Sequence, residues 1–196
     1  MDFRHWYAIF ALTGQEEKVR ALLERKLSDA GMKAHLFVPW IRIRQAEDLA
    51  RKSGNDEKDE IMFPGYVLVG TDDIKGVFSI SNGLKGVLKF LKNEDEFQEI
   101  RLEEISRLVY MAGEEDVIGE SEVCLDEDNR IVVLSGPLKD MEGSIVKFNR
   151  RRERVAVEFQ IDAERHEIWL GVRLVEKRIA STLYIASHIV AEGEFS

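Results

Sequence analysis

Near residue 113 the pattern of the chain changes, and no single packing layer serves both sides of the change. Before it, near-continuous apolar runs alternate with stretches of helical spacing, as in a sheet with helices packed on it. Residues 113–122, Gly-Glu-Glu-Asp-Val-Ile-Gly-Glu-Ser-Glu, hold five acids and two glycines and little to bury, so they read as a linker. Beyond them come short alternating segments, Arg130 to Leu134, Gly143 to Phe148, Val155 to Phe159 and Ile168 to Val172, parted by Gly136-Pro137, Asp140 to Gly143 and Asn149 to Arg152. Five or so short strands within about fifty residues predict a small β-barrel. The expected division is an α+β chain: an α/β sandwich over 1–112, a flexible acidic linker over 113–122, a barrel over 123–178, and a tail over 179–196 whose period fits neither helix nor strand.

Within the first domain, Trp6 to Leu12 is almost continuously apolar, as expected of a strand buried on both faces. Thr13-Gly14-Gln15-Glu16 reads as a capping box, hydroxyl and carboxylate each satisfying an orphan amide. Val19, Leu22, Leu23, Leu27 and Ala30 then recur at helical spacing until Gly31 stops the helix. A short strand from Ala34 to Val38 leads into the polar stretch Arg42 to Glu60, centred on Ser53-Gly54-Asn55-Asp56 and predicted to be an exposed loop. Met62 to Val69 reads as a strand that tolerates Pro64 near its start. Thr71 is placed to cap a helix near Asp72 to Ser79, Gly86 to Leu91 reads as a strand, and Leu102, Ile105, Leu108 and Val109 mark a further helix.

Composition removes several function classes. The one cysteine, Cys124, cannot close an internal disulfide, and the longest apolar stretches fall far short of the ~20 residues of a membrane span, so the chain is expected in the cytoplasm. His5, His35, His166 and His188 are scattered without metal-ligand spacing, and the glycines form neither a phosphate loop nor a dinucleotide fingerprint. Cys124, beside the acidic linker, is poorly set for a thiolate. These absences lead to the expectation of a protein that is not an enzyme and uses no cofactor and no metal; a monomer is expected. The net charge of -9 is uneven: -10 over 1–128, +3 over 129–178 and -2 over 179–196. Phosphate attraction acts over a Debye length, so the mildly basic second domain is what matters for nucleic acid.

Three motifs follow one another. Trp6-Tyr7 precedes Thr13-Gly14-Gln15-Glu16-Glu17-Lys18-Val19; Phe63-Pro64-Gly65-Tyr66-Val67-Leu68-Val69 comes next; and Val133-Leu134-Ser135-Gly136-Pro137-Leu138-Lys139-Asp140-Met141-Glu142-Gly143 comes third. At these separations they resemble the NusG family of transcription elongation factors over residues 6 to about 177, the first two its N-terminal (NGN) domain and the third its KOW domain, an SH3-like barrel. The resemblance implies that the first domain grips the clamp helices of the largest subunit of bacterial RNA polymerase. Phe10, Phe63, Pro64, Gly65, Tyr66 and Leu68 match the family's apolar patch. Aromatic residues suit such a surface, giving large contact area at little entropic cost, although a core role fits the same residues. Simple alternation cannot place Phe63 and Leu68 on one face unless the Pro-Gly irregularity re-aims one of them. Lys18 and Arg25 on the first helix fit either a DNA- or polymerase-facing surface or a solvated face. Gly136-Pro137 reads as a tight turn, and Gly143 as a strand entry with positive φ.

Lys147-Phe148-Asn149-Arg150-Arg151-Arg152-Glu153-Arg154 sets five cations against one acid. Guanidinium groups bind phosphate through paired hydrogen bonds and stack on unpaired bases, so this run, with Lys139, points to RNA: Lys139, Lys147, Asn149, Arg150, Arg151, Arg152 and Arg154. A solvated turn is the plainer reading. The basic tip is similar to the LoaP branch of the family, which implies processive antitermination and an RNA hairpin in a nascent leader transcript as partner, with nucleoid association through the polymerase. Two alternatives stay open: a general factor whose KOW domain binds ribosomal protein S10 or Rho, and a ribosome-associated KOW protein that binds structural RNA.

Overall fold

A computed structural model describes residues 3–45, 51, 54–139, 141–161 and 165–175 of the chain. The tail expected over 179–196, His188, Asp140 and most of the centre of the polar stretch, 46–50 and 52–53, lie outside the described residues. The chain divides into two compact units: Met1–Trp40, Glu60–Val117 and Phe159–His166 form the first, and Ile41–Asp59, Ile118–Glu158 and Glu167–Ser196 the second. One change of unit, between Val117 and Ile118, falls inside the stretch read as a linker, where Gly113–Glu115 form a turn of 3-10 helix and Val117–Ile118 a short strand.

The first unit is built on a four-stranded sheet. Its strands are β1 (Trp6–Ala11), β2 (His35–Phe37), β5 (Tyr66–Gly70) and β6 (Val87–Phe90), in the order β2-β5-β1-β6. Alternation sends Ile9, Ala11, Leu36, Val67 and Val69 into a core with Val19, Leu23 and Leu27 of helix α1 (Glu16–Asp29) and Val77 of helix α2 (Ile74–Ser81). Helix α3 (Leu102–Ala112) buries Ile105, Leu108, Met111 and Ala112. A two-stranded ribbon, β7 (Lys92–Asn93) with β8 (Glu96–Phe97), completes its elements.

Three local expectations need correction. The capping box does not form: Gln15 stands at the N-cap of α1 without a side-chain cap bond. Glu16 instead turns inward, 1% exposed, and its Oε1 accepts the Gly65 N–H at 2.6 Å. Asp73, not Thr71, caps α2, its carboxylate accepting the Gly76 N–H at 2.9 Å while the Thr71 hydroxyl accepts the Asp73 N–H. The polar stretch is not all loop: β3 (Trp40–Arg44) and β4 (Glu57–Ile61) pair within a three-stranded sheet of order β4-β3-β9, β9 being Val117–Ile118. Arg42 holds Asp59 in a bidentate pair at 2.8 and 2.9 Å, so charge complementarity ties two strands whose composition looked like a loop.

The second unit contains most of a five-stranded sheet: β10 (Ser121–Leu125), β11 (Ile131–Ser135), β12 (Ile145–Asn149), β13 (Arg154–Phe159) and β14 (His166–Leu174), ordered β11-β10-β14-β13-β12. β10 and β11, and β12 and β13, pair antiparallel, whereas β10 and β14 pair parallel. Val123, Val133, Leu138, Val155, Val157, Leu170 and Val172 are buried. Gly136 has φ +95°, and a Cβ there would come within 2.7 Å of the Ser121 Cα, so the tight turn requires glycine. Gly143 departs from expectation: it sits in the 3-10 turn Glu142–Ser144, is not among the glycines with positive φ, and has open space where a Cβ would stand.

Candidate functional site

In the first unit, the residues matched to the polymerase patch separate into two sets. Register places Phe10 of β1 opposite Tyr66 of β5, with ring centroids 4.7 Å apart. The Lys89 ammonium lies 4.8 Å from the Phe10 centroid, and both rings remain half-buried. Pro64 is exposed, and Gly65, with φ +87°, makes the turn into β5 while its carbonyl accepts the Ala11 N–H at 2.8 Å. Leu68 is fully buried, in register with Ala8 and Phe37. Phe63 is 2% exposed, its ring edge-on to Phe159 at 6.1 Å and to His166 at 5.8 Å, and His166 also meets the Tyr66 ring. Both partners belong to the same unit. Arg107 of α3 lies over the Phe159 ring, and Arg101 donates to Gln160 at 2.8 Å. Lys89, Phe159 and His166 carried no sequence signal for this neighbourhood, since only tertiary register and packing bring them there.

In the second unit the basic run forms a 3-10 turn, Arg150–Arg152. Asn149 caps it by accepting the Arg152 N–H at 3.0 Å. Glu153 follows in the left-handed conformation, its carbonyl accepting the Val172 N–H at 2.9 Å and its carboxylate the Leu174 N–H at 3.2 Å. The turn is therefore anchored to β14 at its C-terminal end. Of the residues read as RNA-facing, Asn149 thus serves the turn itself. Lys147 is paired with Glu167, and Lys139 is exposed on the turn after β11. Among the described residues, no carboxylate lies within ion-pair distance of Arg150, Arg151, Arg152 or Arg154, whereas Arg20, Arg42, Arg44, Arg101, Arg107, Arg130 and Arg173 each hold one or two.

These four arginines and Glu153 line an open cavity of about 650 Å³ with Arg44 and Gln45. Sequence reading missed Arg44, because it lay in a stretch taken for a loop. Its two terminal nitrogens reach Glu153 at 3.1 Å and Glu120 at 2.9 Å. Elsewhere in the unit, hydrogen bonding from Arg42 holds the Asp59 carboxyl below its ordinary value. The Ser135 hydroxyl and then Arg173 do the same for Glu122.

Comparison with known proteins identifies relatives of the chain. Residues 4–109 match the family model described as transcription termination factor nusG. The transcription termination/antitermination protein NusG of Thermus thermophilus is 25% identical over 162 residues, covering 78% of this chain and 86% of that protein. The protein of the same name from Synechocystis is 24% identical over 191 residues and 89% of each chain. A solved structure concerning domain interaction in Thermotoga maritima NusG aligns over 85% of this chain and 93% of that one, with a TM-score of 0.54 and 21% identity, a likeness of fold. No helix among the described residues is long and apolar enough to cross a membrane. With the family model matched over more than half of its length, the chain belongs to the NusG family of transcription termination and antitermination factors.

Proposed function

We propose that the chain is a specialised elongation factor and processive antiterminator of the LoaP kind, holding the clamp helices of RNA polymerase with an NGN domain and a structured leader RNA with a KOW barrel. The observation that carries this reading is the segment Arg150–Arg154, where four guanidiniums stand without a carboxylate among the described residues in a chain of net charge -9. An acidic protein with 37 carboxylates has partners to spare, so a cluster left uncompensated favours an anionic ligand. On the polymerase side, the half-buried Phe10–Tyr66 pair and exposed Pro64 offer an aromatic anchor at the turn into β5. Binding that favours a closed clamp disfavours the states that lead to pausing, with no reaction catalysed.

The test is titration of the full chain with hairpin leader RNAs at several salt concentrations, beside titration with ribosomal protein S10 and with Rho. The expected result is RNA binding whose log-log salt slope falls by about 0.7 to 0.9 for each phosphate contact removed when Arg150, Arg151 and Arg152 become Ala. Absence of RNA binding together with a complex with S10 or Rho would make this a general factor.

A further inference from the structure

We propose that the Arg44 guanidinium is the stacking platform for one unpaired nucleotide of the bound RNA, whose flanking phosphates go to Arg150, Arg151, Arg152 and Arg154. The inference rests on the RNA reading above. The arginines of this cavity differ in their partners. Arg44 is doubly neutralised, by Glu120 and Glu153, so it adds little net attraction for phosphate. Those two hydrogen bonds lie in the plane of the ion. They fix its orientation and leave its faces to stack on a base. Glu153 is in turn held by the backbone of β14, through its carbonyl to Val172 and its carboxylate to Leu174, so the platform is fixed before any ligand arrives. The other four arginines, without such partners among the described residues, supply the charge.

Size points the same way. A volume of about 650 Å³ lies within the range of small-molecule sites, roomy enough for a nucleotide. A paired A-form stem keeps its bases stacked and presents mainly phosphates and 2′-hydroxyls, which a flat basic surface meets equally well. A concave site holding both a planar cation and a row of free guanidiniums is better used by a bulged or looped nucleotide turned out of its stack.

The experiment uses the full chain and two hairpin RNAs, one with a single bulged 2-aminopurine in its stem, the other fully paired. Anisotropy at fixed salt should show the bulged hairpin bound about tenfold more tightly, in line with one base stacked on a planar side chain. The 2-aminopurine emission should change over the same titration. Arg44→Lys keeps the charge and loses the plane, so it should bring the bulged hairpin down to the affinity of the paired one. Arg150→Ala with Arg151→Ala should weaken both. Equal wild-type affinities with no change in emission would overturn the stacking site and leave the RNA reading standing, whatever the variants do. Binding to neither hairpin nor to leader RNAs would overturn both.

Discussion

Two glycines of one motif should respond very unequally to the same added methyl group. At Gly136 a Cβ would sit 2.7 Å from the Ser121 Cα and 2.9 Å from the Glu120 carbonyl oxygen, both backbone atoms. Ser121 cannot easily recede: it is fully buried, its hydroxyl accepts the Leu138 N–H at 3.0 Å, and β10 is flanked in the sheet by β11 and β14. Overpacking of this kind costs about 1–3 kcal/mol, and an alanine at φ +95° adds about 1–2 kcal/mol of backbone strain. The sum, about 2–5 kcal/mol, is a large share of the roughly 5–13 kcal/mol expected of a unit of about ninety residues. Gly136→Ala should lower the melting temperature of the second unit by at least about 10 °C. Gly143→Ala, with open space and no positive φ, should stay within about 0.5 kcal/mol of the parent. Hydrogen-exchange mass spectrometry on the full chain reads both, because peptides from β10 to β14 report separately from those of β1 and β5. Equal protection of β10 in the parent and in Gly136→Ala would refute the steric argument.

Further expectations concern the first unit and acid stability. Tyr66→Ala should weaken polymerase co-purification about thirtyfold, the loss of a hot spot near 2 kcal/mol, whereas Leu68→Ala should act on folding through a cavity costing about 2–5 kcal/mol, as a melting curve would show. Glu16→Ala leaves the Gly65 N–H without its carboxylate and should cost about 1–3 kcal/mol in urea denaturation, far more than an alanine at the exposed Glu24 on the same helix. Asp59 and Glu122 are more acidic in the fold than in the unfolded chain, so their contribution is full above the ordinary carboxylate range and lost as pH falls through it to their lowered values. Glu122→Gln should therefore flatten the acid limb of a stability-versus-pH curve; an unchanged limb would show that its hydrogen bonds to Ser135 and Arg173 contribute nothing.

Elements whose burial follows period were legible from the residues alone. Helix α1 announced itself through Val19, Leu23 and Leu27, β5 through its apolar run, and β11 to β14 through short alternating segments, whereas β10 (Ser121–Leu125) was not read as a strand. The β3–β4 pair was not, because Glu57 to Glu60 are all charged and the pairing rests on Arg42 meeting Asp59 and Glu57, a relation visible only once the strands are side by side. Glu16 misled for a related reason: a carboxylate at the third position after a threonine fits a cap, but a buried amide at Gly65, distant in sequence, took it instead. The aromatic motif marked its neighbourhood and not its exposure, since Leu68 and Phe63 became core while Phe10 and Tyr66 kept an open side. The arginine turn was plain in the sequence; its companion Arg44, about a hundred residues upstream, was beyond any local pattern.

The parallel pairing of β10 with β14 also bears on how this sheet is made. Two antiparallel hairpins, β10–β11 and β12–β13, join strands near in sequence and can form as soon as each has left the ribosome. Neither can join the other until β14, the last of the five to be synthesised, slides between them and closes a loop of about fifty residues onto β10. During that interval each hairpin carries an unpaired edge, and in the finished sheet the latecomer is the middle strand. A chain stalled or cut before His166 would be left with two separate ribbons, so translation of this nine-residue strand sets the moment at which the five-stranded sheet first exists.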